Sequence, residues 1–139
     1  MKPSISPSTR FVLCVDDDAD DREMVCYTIG EINPTLKVVH AEDGVDALSF
    51  LTQAKGEGAL PCLVILDINM PRMDGKQTLT EIKKDEKLRE VPVVVFSTSS
   101  NPIDKLYCDR YGVEMITKPS TMHIMEHEVK RLLQLCIEG

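Results

Sequence analysis

The chain has 139 residues, of which 42% are hydrophobic and 28% charged, the size and composition of one soluble globular domain with a substantial core and no room for a second. Its formal net charge is −7, and no stretch gathers Lys and Arg into a phosphate-backbone footprint, which excludes direct nucleic-acid binding. Apolar runs such as 63–66 and 93–96 are far too short to cross a bilayer and the polar N-terminus has no signal-peptide pattern, so a cytoplasmic chain without membrane attachment is expected.

In chain order, residues 1–9 are Pro- and Ser-rich and are expected to form a flexible tail ahead of a domain over 10–139. An apolar run at 11–15 ends abruptly in acids and predicts a buried strand. Over 19–32, Met24, Val25, Thr28, Ile29 and Ile32 recur at helical spacing, and Asn33-Pro34 stops the element. A second strand is predicted at 36–41, then a helix over 44–53 with Val45, Ala47, Leu48 and Leu51 on one face, and a Gly-containing loop at 56–58. The third strand is read at 62–66. A turn over 70–75 leads into a charged amphipathic helix with Leu79, Ile82 and Leu88 inward, and 91–96 gives the fourth strand. A polar loop at 97–101 precedes a helix over 102–110, a fifth strand at 113–116 and a last helix over 122–136. The inner face of that helix is taken to be Met122, Met125, Val129, Leu132, Leu133 and Cys136, which leaves His123 and His127 exposed. Strands alternating with helices imply right-handed crossovers and a parallel sheet covered on both faces. The cysteines (Cys14, Cys26, Cys62, Cys108, Cys136) are odd in number and scattered, without a C-x-x-C pair. They are expected to be reduced and packed as small hydrophobes.

In an open α/β sheet, ligands sit outside the carboxyl ends of the strands. The residues ending the predicted strands are Asp16, Asp17 and Asp18, then Asp67, then Ser97 and Thr98, then Thr117, Lys118 and Pro119. Carboxylates crowded in one crevice repel one another and favour a bound cation; oxygen-only donors select a hard ion such as Mg²⁺. Such an ion beside Asp67 would leave that carboxylate able to attack phosphorus while Lys118 and a hydroxyl offset the remaining charge. An EF-hand beginning at Asp16 fails, because its sixth position is Asp21 and its twelfth Tyr27. Asp18, Asp20 and Asp21 are assigned to helix capping.

The strand-one acids, the segment VILDINMPRMDG and the Lys118-Pro119 pair resemble bacterial two-component response-regulator receivers over essentially the whole chain. The resemblance implies a flavodoxin-like (βα)5 fold, a doubly wound parallel five-stranded sheet. It also implies Asp67 as phosphoacceptor, Asp16 and Asp17 as metal-binding acids, Asn69 as a ligand through its backbone carbonyl, Ser97 as switch hydroxyl and Lys118 as ion-pair partner of the phosphate. The Lys118–Pro119 bond is then expected to be cis. By the same resemblance the chain is a signalling protein rather than an enzyme. It would be phosphorylated by a sensor histidine kinase or phosphotransfer protein, and the Ser-Thr-Ser segment after strand four is similar to single-domain regulators paired with bacterial phytochromes. The chain departs from the family at Met115, three residues before Lys118, where an aromatic residue is usual; output is therefore expected through the loop 98–101 and the fourth helix.

With no effector segment after the domain, the output is expected to be a downstream protein or a second copy. Ile124, Leu135 and Ile137 off the main stripe of the last helix, with Tyr107 and Tyr111 near it in sequence, point to self-association through helix four, strand five and helix five. The rival reading is a haloacid-dehalogenase-like aspartyl phosphatase built on Asp16 and Asp18 as a D-x-D pair. Against it, Asp20 stands where Thr or Val is expected, and the chain is short for that family.

Overall fold

The computed structural model describes residues 10–68, 74–98 and 101–138; the predicted tail 1–9 and most of the 70–75 turn lie outside the described residues. Each apolar run becomes a strand: β1 (Phe11–Val15), β2 (Lys37–Ala41), β3 (Leu63–Asp67), β4 (Val93–Ser97) and β5 (Glu114–Thr117). Between them lie α1 (Ala19–Ile32), α2 (Gly44–Gly56), α3 (Gly75–Lys84) and α4 (Pro102–Arg110), and α5 (Met122–Leu132) and α6 (Gln134–Glu138) close the chain. The strands form one parallel sheet in the order β2-β1-β3-β4-β5. The chain therefore winds one way from β1 to β2 and the other way from β3 onward, the flavodoxin-like arrangement expected.

Side-chain alternation divides the core in two. Phe11, Leu13 and Val15 point with Val64, Leu66 and Val95 into the cluster that includes Leu51, Leu79 and Ile82, whereas Val12, Cys14, Ile65 and Phe96 point into the cluster with Ile29, Met125 and Val129. β1, β3 and β4 are buried along their whole length, because helices cover both faces. β5 is an edge strand, with only its middle residues, Met115 and Ile116, partly covered.

Most element ends shift by one to three residues from the sequence reading, and two boundaries and one face assignment differ for a visible reason. β4 begins at Val93 because a 3-10 turn at Leu88–Glu90 draws the Val91 N–H to the Leu88 carbonyl. The last helix is interrupted at Leu133 and resumes as the five-residue α6. Met122, assigned to its inner face, is 39% exposed, since it lies at the first position of α5, before the helix meets the core.

Two further expectations are corrected. Cys62 and Cys136 form a disulfide; α6 brings Cys136 back to the start of β3 with the Cα atoms 5.0 Å apart, within bridging range, a meeting that a separation of 74 residues concealed. Among the described residues no peptide bond is cis, so Lys118–Pro119 is trans, the form that most X–Pro bonds adopt.

Candidate functional site

β1 and β3 are neighbours, with Val15 opposite Leu66, so the residues that follow, Asp16 and Asp67, emerge side by side where the winding reverses. Both are buried, while Asp17 is exposed. The structure brings one carboxylate oxygen from each of Asp16, Asp17 and Asp67 within 4.8 Å of the others. Oxygen donors alone, three carboxylates and two of them out of water, fit a hard divalent cation and no softer metal. Asn69 lies outside the described residues.

Lys118 follows β5 and reaches back across the strand ends. Its Nζ lies 2.9 Å from Asp16 Oδ2, 2.7 Å from Asp21 Oδ2 and 3.5 Å from Asp67 Oδ2. Burial acts to lower the pKa of this ammonium, but hydrogen bonds to Asp16 and Asp21 and the field of Asp67 outweigh it and raise it above the ordinary lysine value. Lys118 is therefore charged at neutral pH. Its backbone N–H donates to the Ser97 carbonyl at 3.0 Å, which fixes the turn that aims the side chain.

Ser97 is the last residue of β4 and fully buried, with Thr98 beyond it exposed; the strand thus ends at Ser97 and not one residue later. Met115 packs partly buried against the core cluster beneath α4. Cys14, Ile65, Phe96 and Met125 line, together with Asp16, Asp67 and Lys118, a cavity of about 80 Å³. Burial, then the neighbouring Asp16, pushes the Cys14 thiol up to about 12, so it serves as packing.

The sequence reading missed three contributions. Asp21, assigned to capping, spends its carboxylate on Lys118; Asp18 does the capping, accepting from the N–H groups of Asp20 and Asp21. Arg22 donates to the Asp16 carbonyl at 2.6 Å, holding the end of β1. Gly75 starts α3 against the site: a Cβ there would lie 2.4 Å from both the Asp67 carbonyl oxygen and Ile68 Cα, so only glycine lets α3 approach the acceptor strand. The Asp74-Gly75 pair at the end of the predicted turn carried that signal.

Next to the site, Lys76 of α3 pairs with the buried Asp104 of α4 at 2.6 Å. Tyr107 donates to the Lys76 carbonyl at 2.9 Å and shares a hydrogen bond with Thr80. Tyr107 and Tyr111, assigned from sequence to a self-association surface, are thus partly buried against the core. The exposed apolar side chains of α4 are Ile103 and Leu106. His123 and His127 are exposed on α5, as expected.

The sequence profile of the response regulator receiver domain matches residues 12–130. The chain is 30% identical over 135 residues to the sensor histidine kinase CheAY of Helicobacter pylori, covering 96% of this chain and 16% of that one. It is 35% identical over 98 residues to the response regulator Rcp1 of Synechocystis, covering 68% of this chain and 66% of Rcp1. Among solved structures, the phosphorylated cyanobacterial phytochrome response regulator RcpA superposes with a TM-score of 0.83 at 29% identity, covering 94% of this chain and 95% of that one. The manganese-bound form of Rcp1 gives 0.75 at 29% identity, covering 90% and 92%.

Proposed function

The chain belongs to the response regulator receiver domain family, and from that premise we propose that it accepts a phosphoryl group on Asp67 from a phosphohistidine of a sensor kinase or phosphotransfer protein. The observation that carries this reading is a buried carboxylate at the end of β3 whose oxygen lies near those of Asp16 and Asp17, with the Lys118 ammonium against the same group of acids. A carboxylate oxygen of Asp67 would attack phosphorus as the P–N bond to the donor imidazole breaks. Lys118 supplies positive charge against the transferred oxygens, and Ser97, at the end of the adjacent strand, is the hydroxyl assigned to meet them. Asp16, Asp17 and Asp67, with the Asn69 carbonyl, would hold Mg²⁺; when bound, the ion neutralises charge on the phosphoryl group and is satisfied by these oxygen donors. Water would later hydrolyse the acyl phosphate and return the carboxylate.

The aspartyl-phosphatase alternative gains nothing here, because the Asp18 carboxylate it requires is occupied in capping α1. The output reading is a downstream protein, or a second copy, meeting α4, β5 and α5, where Ile103, Leu106 and Ile124 are exposed. A cytoplasmic setting agrees with the absence, among the described residues, of any helix long and apolar enough to cross a membrane.

The test is phosphotransfer from purified histidine kinases in the presence of Mg²⁺. The native chain should become labelled by at least one kinase, and Asp67→Asn should remain unlabelled. Labelling that persists in Asp67→Asn and disappears in Asp16→Asn would reject the assignment.

A further inference from the structure

At the end of the sheet opposite the acidic site, the chain is closed by a cysteine pair. Cys62 stands immediately before β3, and Cys136 lies in α6. α6 has five residues, too few to be helical on its own. Gln134 and Leu135 are exposed, while Cys136 is buried in the cluster that contains Val12, Leu36 and Leu63. The described attachments of this helix to the sheet side of the molecule are therefore the Cys136 side chain and the Arg10 guanidinium, which donates to the Cys136 carbonyl. Cys62 is half-buried and Cys136 buried, so of the two half-cystines Cys62 is the one nearer solvent, where thiol exchange would begin. Cys14 and Cys108 are buried and form no bridge.

We propose that Cys62 and Cys136 are a reversible thiol–disulfide site that fastens the C-terminal helix to the base of β3 when oxidised and releases it when reduced. In the reducing direction, one thiolate of a dithiol attacks the Cys62 sulfur. The bond to Cys136 breaks, and Cys136 leaves as a thiolate and takes up a proton. The second thiol of the dithiol then displaces Cys62, which is also protonated. Two electrons pass to the protein and the dithiol becomes its cyclic disulfide; glutathione disulfide runs the exchange backwards. Released, α6 would uncover apolar surface around Leu36 and Leu63. The inference is independent of what happens at Asp67.

The test uses the full chain with and without dithiothreitol, and in glutathione buffers of graded oxidation. Alkylation after denaturation should label Cys14, Cys26 and Cys108 alone in the oxidised chain and all the cysteines in the reduced one, with recovery of the first pattern on reoxidation. Amide hydrogen exchange over 134–138 should quicken by at least about tenfold on reduction, because the short helix loses its covalent anchor. Cys62→Ser should exchange at the fast rate in both conditions. Alkylation of Cys62 and Cys136 at every glutathione ratio would overturn the proposal, as would equal exchange over 134–138 in the oxidised and reduced chains.

Discussion

Lys118 sits where the carboxylates of Asp16, Asp21 and Asp67 converge, and its charge occupies ground that a divalent cation would share. Lys118→Ala should therefore tighten Mg²⁺ binding by roughly tenfold, by removing a competing positive charge, while slowing phosphoryl acceptance. Calorimetry and phosphotransfer rates on one preparation check the two opposite signs. Gly75 tests the backbone instead. Gly75→Ala forces α3 away from Asp67 and Ile68, and should cost about 2 kcal/mol in denaturant unfolding, as overpacking does. Phosphorylation should fall with it; an unfolding midpoint equal to that of the native chain would contradict the close approach. Asp16, Asp67 and Lys118 were legible in sequence because each ends an apolar run, where a parallel sheet gathers its functional groups. Asp21 was not, since an acid in the first turn of a helix has the same appearance whether it meets the helix dipole or a lysine 97 residues away.

At the scale of elements, strands and helices followed from apolar spacing, and their edges depended on capping that spacing does not encode. Asp18, Asp43, Asp74, Asn101 and Thr121 each cap the helix they precede with a side-chain oxygen. All five stand between a strand and the helix that follows it, at the carboxyl end of the sheet where the site lies. Asp18→Ala should cost about 1 kcal/mol of stability, read from the shift in the unfolding midpoint. The stretch after α3 runs into a 3-10 turn rather than directly into a strand, because Asp85 accepts from the N–H groups of Lys87 and Leu88 and from Lys55. The Lys55 hydrogen bond, then those from Leu88 and Lys87, lower the Asp85 pKa from 3.8 to about 2. A carboxyl depressed on folding stabilises the native state fully above its unfolded value and loses that contribution as pH falls through the folded one. The Asp85 contribution should thus be complete above about pH 4 and vanish toward pH 2. A carboxyl titration followed by NMR that gave Asp85 an ordinary midpoint would contradict the ion pair.

For the whole molecule, alternation of elements was enough to foresee a parallel sheet covered on both faces, the family resemblance added its doubly wound form, and the order β2-β1-β3-β4-β5 explains why Asp16 and Asp67 meet: strands far apart in sequence become neighbours where the winding reverses. The same long-range closure brought Cys62 to Cys136, which no periodicity announces. In the chain-entropy account, closing a loop of this length stabilises the fold by about 4 kcal/mol, so Cys136→Ser should lower stability by that order, and reduction of the native chain should lower it equally. Transfer onto Asp67 is tested most directly by trapping the acyl phosphate. A chain phosphorylated by a histidine kinase in Mg²⁺ and treated with borohydride should carry the reduced side chain at Asp67 alone, since hydride attacks the acyl carbon and expels phosphate. Recovery of the reduced residue at Asp16 or Asp17, or phosphate retained on His123 or His127, would contradict the account.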